Sequence, residues 1–377
     1  MKIAICVISY NRPASTLRCL SAIKQGHYDN DNVDLIISID YSGDNTVQQV
    51  ANDFVWKHGQ KRIIAYKENL GLREHILKCG DLTQAYDALI VLEDDIVVSP
   101  AFYRYAKATV NKYSDNDNIA GISLYSFGIN YHNMLPFMPM PSDSDVYLMQ
   151  NAQSWGQIWM PRQWKAFMDW YEQNTDDFPE MPHLPKSICS WRKSWLKYHT
   201  RYCIEKDKYF VYPYISLSTC FSDTGEHTSV TSSIIQVPLC SGDKHLFNIA
   251  PSIKYDAFFE NKSLSTSLGL NDRELCTDIY GEKGNRTTSR YWLTREIHNY
   301  KILAAFGLQL KPVEENIIHK IVGTDVFLYD THVVSHNQHF DSPLRFQRYL
   351  YNNFPGIKQQ AISLIRAILN KLNLKKC

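Results

Sequence analysis

The chain has 377 residues, 44% of them apolar, and a formal charge of +1. That balance excludes nucleic-acid binding through bulk positive charge, and the length allows two domains or one elaborated domain. Nine cysteines, an odd number without a Cys-x-x-Cys pair, argue against a disulfide framework or zinc ribbon and predict a reducing, cytoplasmic setting.

The first residues resemble a short leader, but the apolar run is brief and Asn11-Arg12-Pro13 follows where small cleavage-site residues belong, so Ile3–Ser9 reads as a core strand. Pro13 suits a helix start, with Leu17, Leu20 and Ile23 at helical spacing before Gly26. A strand over Val33–Asp40, a helix from Asn45 to His58, a strand over Arg62–Tyr66 and a helix over Leu72–Cys79 follow. Then come a strand at Ala88–Leu92, a helix at Pro100–Tyr113 and a strand at Ile119–Tyr125. This alternation predicts an α/β fold with a mostly parallel sheet, whose ligands bind at the carboxyl ends of the strands. Asn11 and Arg12, Asp40 and Asp44, and Glu93-Asp94-Asp95 all fall at such ends.

Glu93-Asp94-Asp95 is the most telling of these. Three carboxylates at the end of a buried strand repel one another unless a cation or ligand compensates. Mg2+ and Mn2+ prefer oxygen donors and are commonly shared between one or two carboxylates and a substrate's phosphates. An acidic turn with no ligand is the plain alternative. No Gly-x-Gly-x-x-Gly follows the first strand and no Walker-type motif occurs, which disfavours a dinucleotide oxidoreductase and a P-loop phosphotransferase.

Residues 136–145 read as a loop, and Ser154-Trp155-Gly156-Gln157-Ile158-Trp159 leads into a helix through Trp164–Tyr171. Trp191 and Trp195 precede an aromatic strand, Tyr209–Leu217, and a polar turn, Ser222–His227. After about Thr231 the periodicity weakens and assigns no role. Residues 357–376 pattern as a basic amphipathic helix, suited to an anionic membrane surface or to packing on its own domain. No apolar stretch reaches the roughly 20 residues that span a bilayer. His332, His336 and His339 suggest a zinc cluster but sit in a loop-like context, and Asp115/Asp117 and Asp143/Asp145 read as solvated loops.

Val7–Pro13, Ile37–Asp40 and Leu92–Asp95, in that order, resemble glycosyltransferases of the GT-A fold. Glu93–Phe102 is especially similar to the N-acetylglucosaminyltransferase I group and its bacterial relatives. The resemblance is good over residues 1–126, fair over 147–228 and absent afterwards. It implies a Rossmann-like nucleotide-sugar-binding half at 1–126, an acceptor and catalytic half at 127–230, and a C-terminal extension at 231–377. It further implies that Arg12 contacts the nucleotide, Asp40 the uracil, Glu93 the donor sugar and Asp94 the ribose. Asp95 would ligate Mn2+ or Mg2+, with His227 as a further metal or diphosphate contact. Trp155, Gly156 and Trp159 would wall the sugar, and Trp191 would lie beside the catalytic base. The family's inverting members carry an aspartate after that tryptophan, and this chain has Arg192. Arginine cannot accept a proton at neutral pH, so the base is Asp223 or Glu226, or the reaction retains configuration and needs none.

The expected activity is transfer from a UDP-sugar to a glycan or lipid-linked acceptor in bacterial surface polysaccharide (lipopolysaccharide or capsule) synthesis, in the cytoplasm or on the inner membrane face. Nucleic acid is not an expected partner. A catalytically silent nucleotide-sugar-binding or scaffold protein of the same pathway is the alternative, motivated by Arg192. A nucleotidyltransferase is a third reading, disfavoured because Asn11-Arg12-Pro13 is not Gly-rich.

Overall fold

The computed structural model describes residues 1–192, 194–221, 223, 233–284, 288–337, 343–351, 358, 360–362 and 364–365. The chain opens with β1 (Ile3–Ser9), α1 (Pro13–Lys24), β2 (Asp34–Ile39), α2 (Thr46–Asp53), β3 (Lys61–Ala65), α3 (Leu72–Gly80), β4 (Ala88–Glu93), β5 (Ile96–Val98), α4 (Phe102–Tyr113) and β6 (Ile119–Ser123). A small ladder, β7 (Ile129–Asn130) with β8 (Leu135–Pro136), precedes β9 (Val146–Met149), β10 (Gln157–Trp159), α5 (Pro161–Tyr171), α6 (Lys186–Cys189), α7 (Leu196–Glu205), β11 (Tyr209–Pro213) and β12 (Ser218–Cys220). Beyond lie β13 (Lys254–Tyr255), α8 (Leu264–Leu268), β14 (Leu275–Asp278), β15 (Tyr291–Thr294), β16 (Tyr300–Phe306), α9 (Val313–Ile318), β17 (Val326–Val334) and α10 (Pro343–Leu350).

The central sheet has nine strands in the order β13-β9-β11-β6-β10-β4-β1-β2-β3. It is mostly parallel, as the alternation predicts, with β10 antiparallel to both β4 and β6 and β9 antiparallel to β11. Ile3, Ile5 and Val7 of β1 enter one core, and Ala4, Cys6 and Ile8 enter the other. Burial on both faces explains why β1, β2 and β4 are continuous apolar runs rather than alternating ones.

The helix expected to reach His58 stops at Asp53. The Lys61 ammonium donates to the carbonyls of Ala51, Asn52 and Phe54 at 2.8, 2.8 and 2.6 Å, satisfying the orphan acceptors of the last turn. Trp56 then folds back, its indole N–H donating to Val33 O at 2.8 Å. The C-terminal third, silent in the sequence, forms a four-stranded sheet in the order β14-β15-β17-β16 over a core around Leu293, Ile317 and Val326. The strand β13, also from this third, joins the central sheet beside β9.

Two buried groups make the stability of this framework pH-dependent. His199 of α7 is stacked on Phe167 at 4.1 Å, and neither ring nitrogen has a hydrogen-bond partner among the described residues. Burial pushes it down to about 3. A depressed histidine binds fewer protons folded than unfolded, so its stability contribution is lost as pH falls from 6.5 toward 3. His199→Phe removes two unsatisfied polar atoms. It is expected to stabilise the fold by about 1–3 kcal/mol, with a larger gain at pH 5 than at pH 8, read by urea unfolding. Glu314 of α9 is buried against β13 and accepts from the Tyr255 hydroxyl at 3.0 Å. Burial raises it to about 7, so it costs stability as pH rises from 4.5 through 7. Glu314→Gln keeps an acceptor for Tyr255 and is expected to raise Tm at pH 8 and leave it unchanged near pH 4.5.

Candidate active site

The carboxyl ends of β1, β2 and β4 form one rim, because β1 lies between the other two in parallel register. Arg12 caps the N-terminus of α1 just beyond β1, and Pro13 begins that helix. Its guanidinium donates to Asp94 and, at 3.2 Å, to Asp95 Oδ2. Thus the arginine and the acids, 82 and 83 residues apart in sequence, meet directly.

Asp94 is only 3% exposed. Burial raises it to about 6, against the lowering pull of Arg12, and Asp95 and Asp223 add to the rise. Glu93 is pushed up to about 8 by burial and by Asp95 and Asp94, with Arg12 and the Ser154 hydroxyl pulling the other way. Burial is the first cause of both rises, and the pull of Arg12 does not cancel it.

Asp40 is buried at the end of β2 and is fixed by the backbone. Its Oδ1 accepts from Tyr41 N and Leu70 N, each at 2.9 Å, and its Oδ2 accepts from Gly71 N at 3.0 Å. Gly71 sits at φ +75°, a conformation that favours glycine, and its peptide starts α3. A carboxylate has about four acceptor sites, so a lone pair on Oδ2 stays available. Asp40 and Glu93 flank β1 on either side, about 10 Å apart by strand spacing.

β5 pairs with β12, and Phe221 N donates to Asp95 O at 2.8 Å, which returns the chain to the rim at Asp223. Asp223 accepts from Ser15 Oγ at 2.6 Å and from Arg18, whose guanidinium lies 3.5 Å over the Phe221 ring. Burial opposes its ionisation, but Ser15 and Arg18 hold it below the ordinary carboxylate range. A carboxylate so held is a weak base. Glu226 and His227 lie outside the described residues, and so does most of 357–376; the described Ile362, Leu364 and Ile365 there are exposed.

Beside Glu93 opens a cavity of about 370 Å³, lined by Phe127, Tyr131, Ser154, Trp155, Trp191 and their neighbours. Tyr131 lies over Trp191 with centroids 5.7 Å apart, and Trp155 packs on Tyr125 at 4.7 Å. Ser154 lines the cavity, and its hydroxyl is near enough to Glu93 to favour the ionised carboxylate, so the aromatic wall adjoins the acids. Trp159, expected in the same wall, is instead a core residue, 1% exposed and stacked on Trp164 at 4.3 Å. The period-two strand β10 turns Trp159 inward, where its indole donates to Gln157. Arg192 is exposed, and its carbonyl accepts from Arg73 at 3.3 Å.

Sequence reasoning missed Ser15, Arg18, Tyr131, Ser154 and the Leu70 and Gly71 amides. Ser15 and Arg18 stand three apart on α1, which starts at Pro13, a spacing that puts them on one face. The amides carry no side-chain signal.

Among the described residues no three His, Cys, Asp or Glu side chains converge as a metal group. Asp95 nonetheless presents a partly exposed hard-oxygen donor beside Arg12, with an 18% exposed side chain. That donor fits Mg2+ or Mn2+ shared with a phosphate ligand rather than held in an all-protein cage. Of the three histidines read as a zinc cluster, His332 and His336 join no such group among the described residues, and His339 lies outside them. Among the described residues, no helix is long and apolar enough to cross a membrane.

A family model described as SPBC1E8.03c C-terminal domain matches residues 14–175, less than half of the chain. No curated protein matches. Among solved structures, S. aureus TarS 1–349 is similar at 11% identity and a TM-score of 0.39, covering 59% of this chain and 61% of that one. The same protein in complex with UDP-GlcNAc gives 13% identity and a TM-score of 0.38, covering 60% of each chain. The mannosyltransferase PcManGT from Pyrobaculum calidifontis, in complex with GDP-Man and Mn2+, gives 10% and 0.34, covering 57% of each. The chain thus spans about three fifths of the solved proteins it matches, and at these scores the likeness carries neither activity nor substrate to it.

Proposed function

We propose that the chain is a GT-A-type glycosyltransferase that moves a sugar from a nucleoside diphosphate donor to an acceptor hydroxyl. The single observation that carries this reading is Arg12 bound to Asp94 and Asp95 on a rim shared with Asp40 and an aromatic cavity. The resemblance to the N-acetylglucosaminyltransferase I group and its bacterial relatives, with UDP-sugars as donors, belongs to the same reading.

Asp95 would hold Mg2+ or Mn2+, which supplies charge stabilisation to the departing diphosphate. Arg12 offers a planar fork suited to phosphate oxygens, already oriented by Asp94. Asp40, fixed by three backbone amides, points its remaining lone pair at a base N–H. Glu93 reaches the donor sugar, and Asp94 the ribose. Trp155 and Trp191 exclude water from the sugar and present flat apolar faces to it. Asp223 is tied to Arg18, so the base falls to Glu226 or the reaction retains configuration. His227 would contact the metal or diphosphate. The acceptor is a glycan or lipid-linked glycan of surface polysaccharide synthesis, reached from the cytoplasm through the basic segment at 357–376.

Incubation with UDP- and GDP-sugars, with and without Mn2+, tests the reading. Release of nucleoside diphosphate with a glycosylated product supports it. Tight binding without turnover across many acceptors favours the silent protein that Arg192 suggests, and pyrophosphate release favours nucleotidyl transfer.

A further inference from the structure

A second cleft opens at the opposite edge of the central sheet, where β6 and β11 begin. The six residues of β4 separate this edge from the acidic rim by about 20 Å. It has a volume of about 370 Å³ and is lined by Lys112 at the end of α4, Asn116, Asn118, Asp207, Tyr209 and Lys254, among others.

Its charge is unbalanced. Asp207 engages one carboxylate oxygen, Oδ1 accepting from Gln150 at 2.9 Å and the Tyr209 hydroxyl at 3.1 Å, and the Lys262 ammonium 3.6 Å away offsets its charge. The nearby acid Asp117 pairs with Arg162 at 2.7 Å, and Asp115, 4.0 Å from the same arginine, is 96% exposed and gives its charge to solvent. Among the described residues, neither Lys112 nor Lys254 has an ion-pair partner. Lys254 lies 5.6 Å over the Tyr209 ring.

The cleft is also rich in donors. Asn116 uses its carbonyl oxygen to accept from Asn118 N at 3.0 Å, leaving its amide N–H groups to the cleft, and Asn118 adds a second side-chain amide. The remaining wall is apolar, from Tyr113, Ile119, Leu148 and Pro251. Ammonium and amide donors over an apolar wall complement a ligand with acceptor oxygens, negative charge and a carbon face. A bare inorganic anion would leave the apolar wall unused, and a neutral sugar would leave the lysines idle.

We propose that this cleft is a second binding site, separate from the rim, for an anionic saccharide bearing a carboxylate or phosphate. It does not depend on the transferase reading.

The test is equilibrium binding by calorimetry, on the full chain, of a hexuronate tetrasaccharide, glucose 6-phosphate, cellotetraose and inorganic phosphate. At least one acidic sugar is expected to bind ten-fold or more tighter than cellotetraose and than inorganic phosphate. Raising salt from about 50 to 500 mM should weaken it several-fold, because the cleft is open to solvent. Lys112→Ala/Lys254→Ala should weaken it at least ten-fold, and Asn118→Ala to a smaller degree. Thermal melts report folding and should be unchanged in these variants, as should UDP binding with Mn2+. A preference for the hexuronate or for the sugar phosphate identifies the acidic group. Equal binding of cellotetraose, binding of inorganic phosphate as tight as that of either acidic sugar, no binding of either, or an unaffected lysine double variant overturns the proposal. Absence of UDP binding in the unaltered protein would count against the transferase reading alone.

Discussion

Asp95→Ala is expected to lower sugar transfer at least about a thousand-fold while leaving the fold intact. Charge stabilisation at a departing diphosphate is worth several kcal/mol, and each 1.36 kcal/mol is a factor of ten in rate. The substitution should cost little stability, because Asp95 repels Glu93 and Asp94 as well as pairing with Arg12 at 3.2 Å. It raises both Glu93 and Asp94. Removing it lowers both, so Tm at pH 7.5 should change little. Initial rates with saturating donor, beside a thermal melt, check both halves. Turnover that survives in Asp95→Ala would show that the assigned residue does not hold the cation.

Arg12→Met has the other large effect, and there stability and activity fall together. Arg12 is the cation paired with Asp94, whose side chain is 4% exposed. Taking one partner from a buried pair typically costs about 3–5 kcal/mol, because the remaining charge stays desolvated. The loss is pH-dependent with a definite sign. Asp94 stands at about 6 in the folded protein against 3.8 unfolded, so the folded state binds more protons between those values and stability falls as pH rises. Without Arg12 the folded value moves higher still. The destabilisation should therefore be small near pH 4, where Asp94 is protonated in the fold with or without Arg12, and large at pH 7.5. Urea unfolding at the two pH values reads this directly, and an equal loss at both would remove Asp94 as the partner that matters. Arg12→Lys should restore part of the stability but little of the activity, since an ammonium lacks the planar fork.

The N-terminal half was legible in the sequence because its strands are buried on both faces. Such strands write continuous apolar runs that end abruptly in polar residues, as at Leu92-Glu93 and Ile39-Asp40. The convergence of Arg12 with Asp94 and Asp95 followed from strand order, since β1 and β4 are neighbours in parallel register. What escaped notice was carried by the backbone or by contacts distant in sequence. The Lys61 cap that ends α2 is a side chain bonded to carbonyls, and no helical periodicity encodes it. In the C-terminal sheet β14 and β15 have four residues each, too few to show a period, and β17 is buried continuously over Val326–Asp330 and exposed at its end, so it shows no alternation. Trp159 was misplaced because Trp155 and Trp159 look alike in sequence. The bend at Gly156, with φ +103°, separates the cavity wall from the core strand β10.

Diffraction from crystals soaked with Mn2+ and UDP tests the central claim most directly. The account predicts an anomalous peak within coordination distance of Asp95, the diphosphate beside Arg12, and the uracil against Asp40. A peak remote from Asp95, or a nucleotide bound away from this rim, would contradict it.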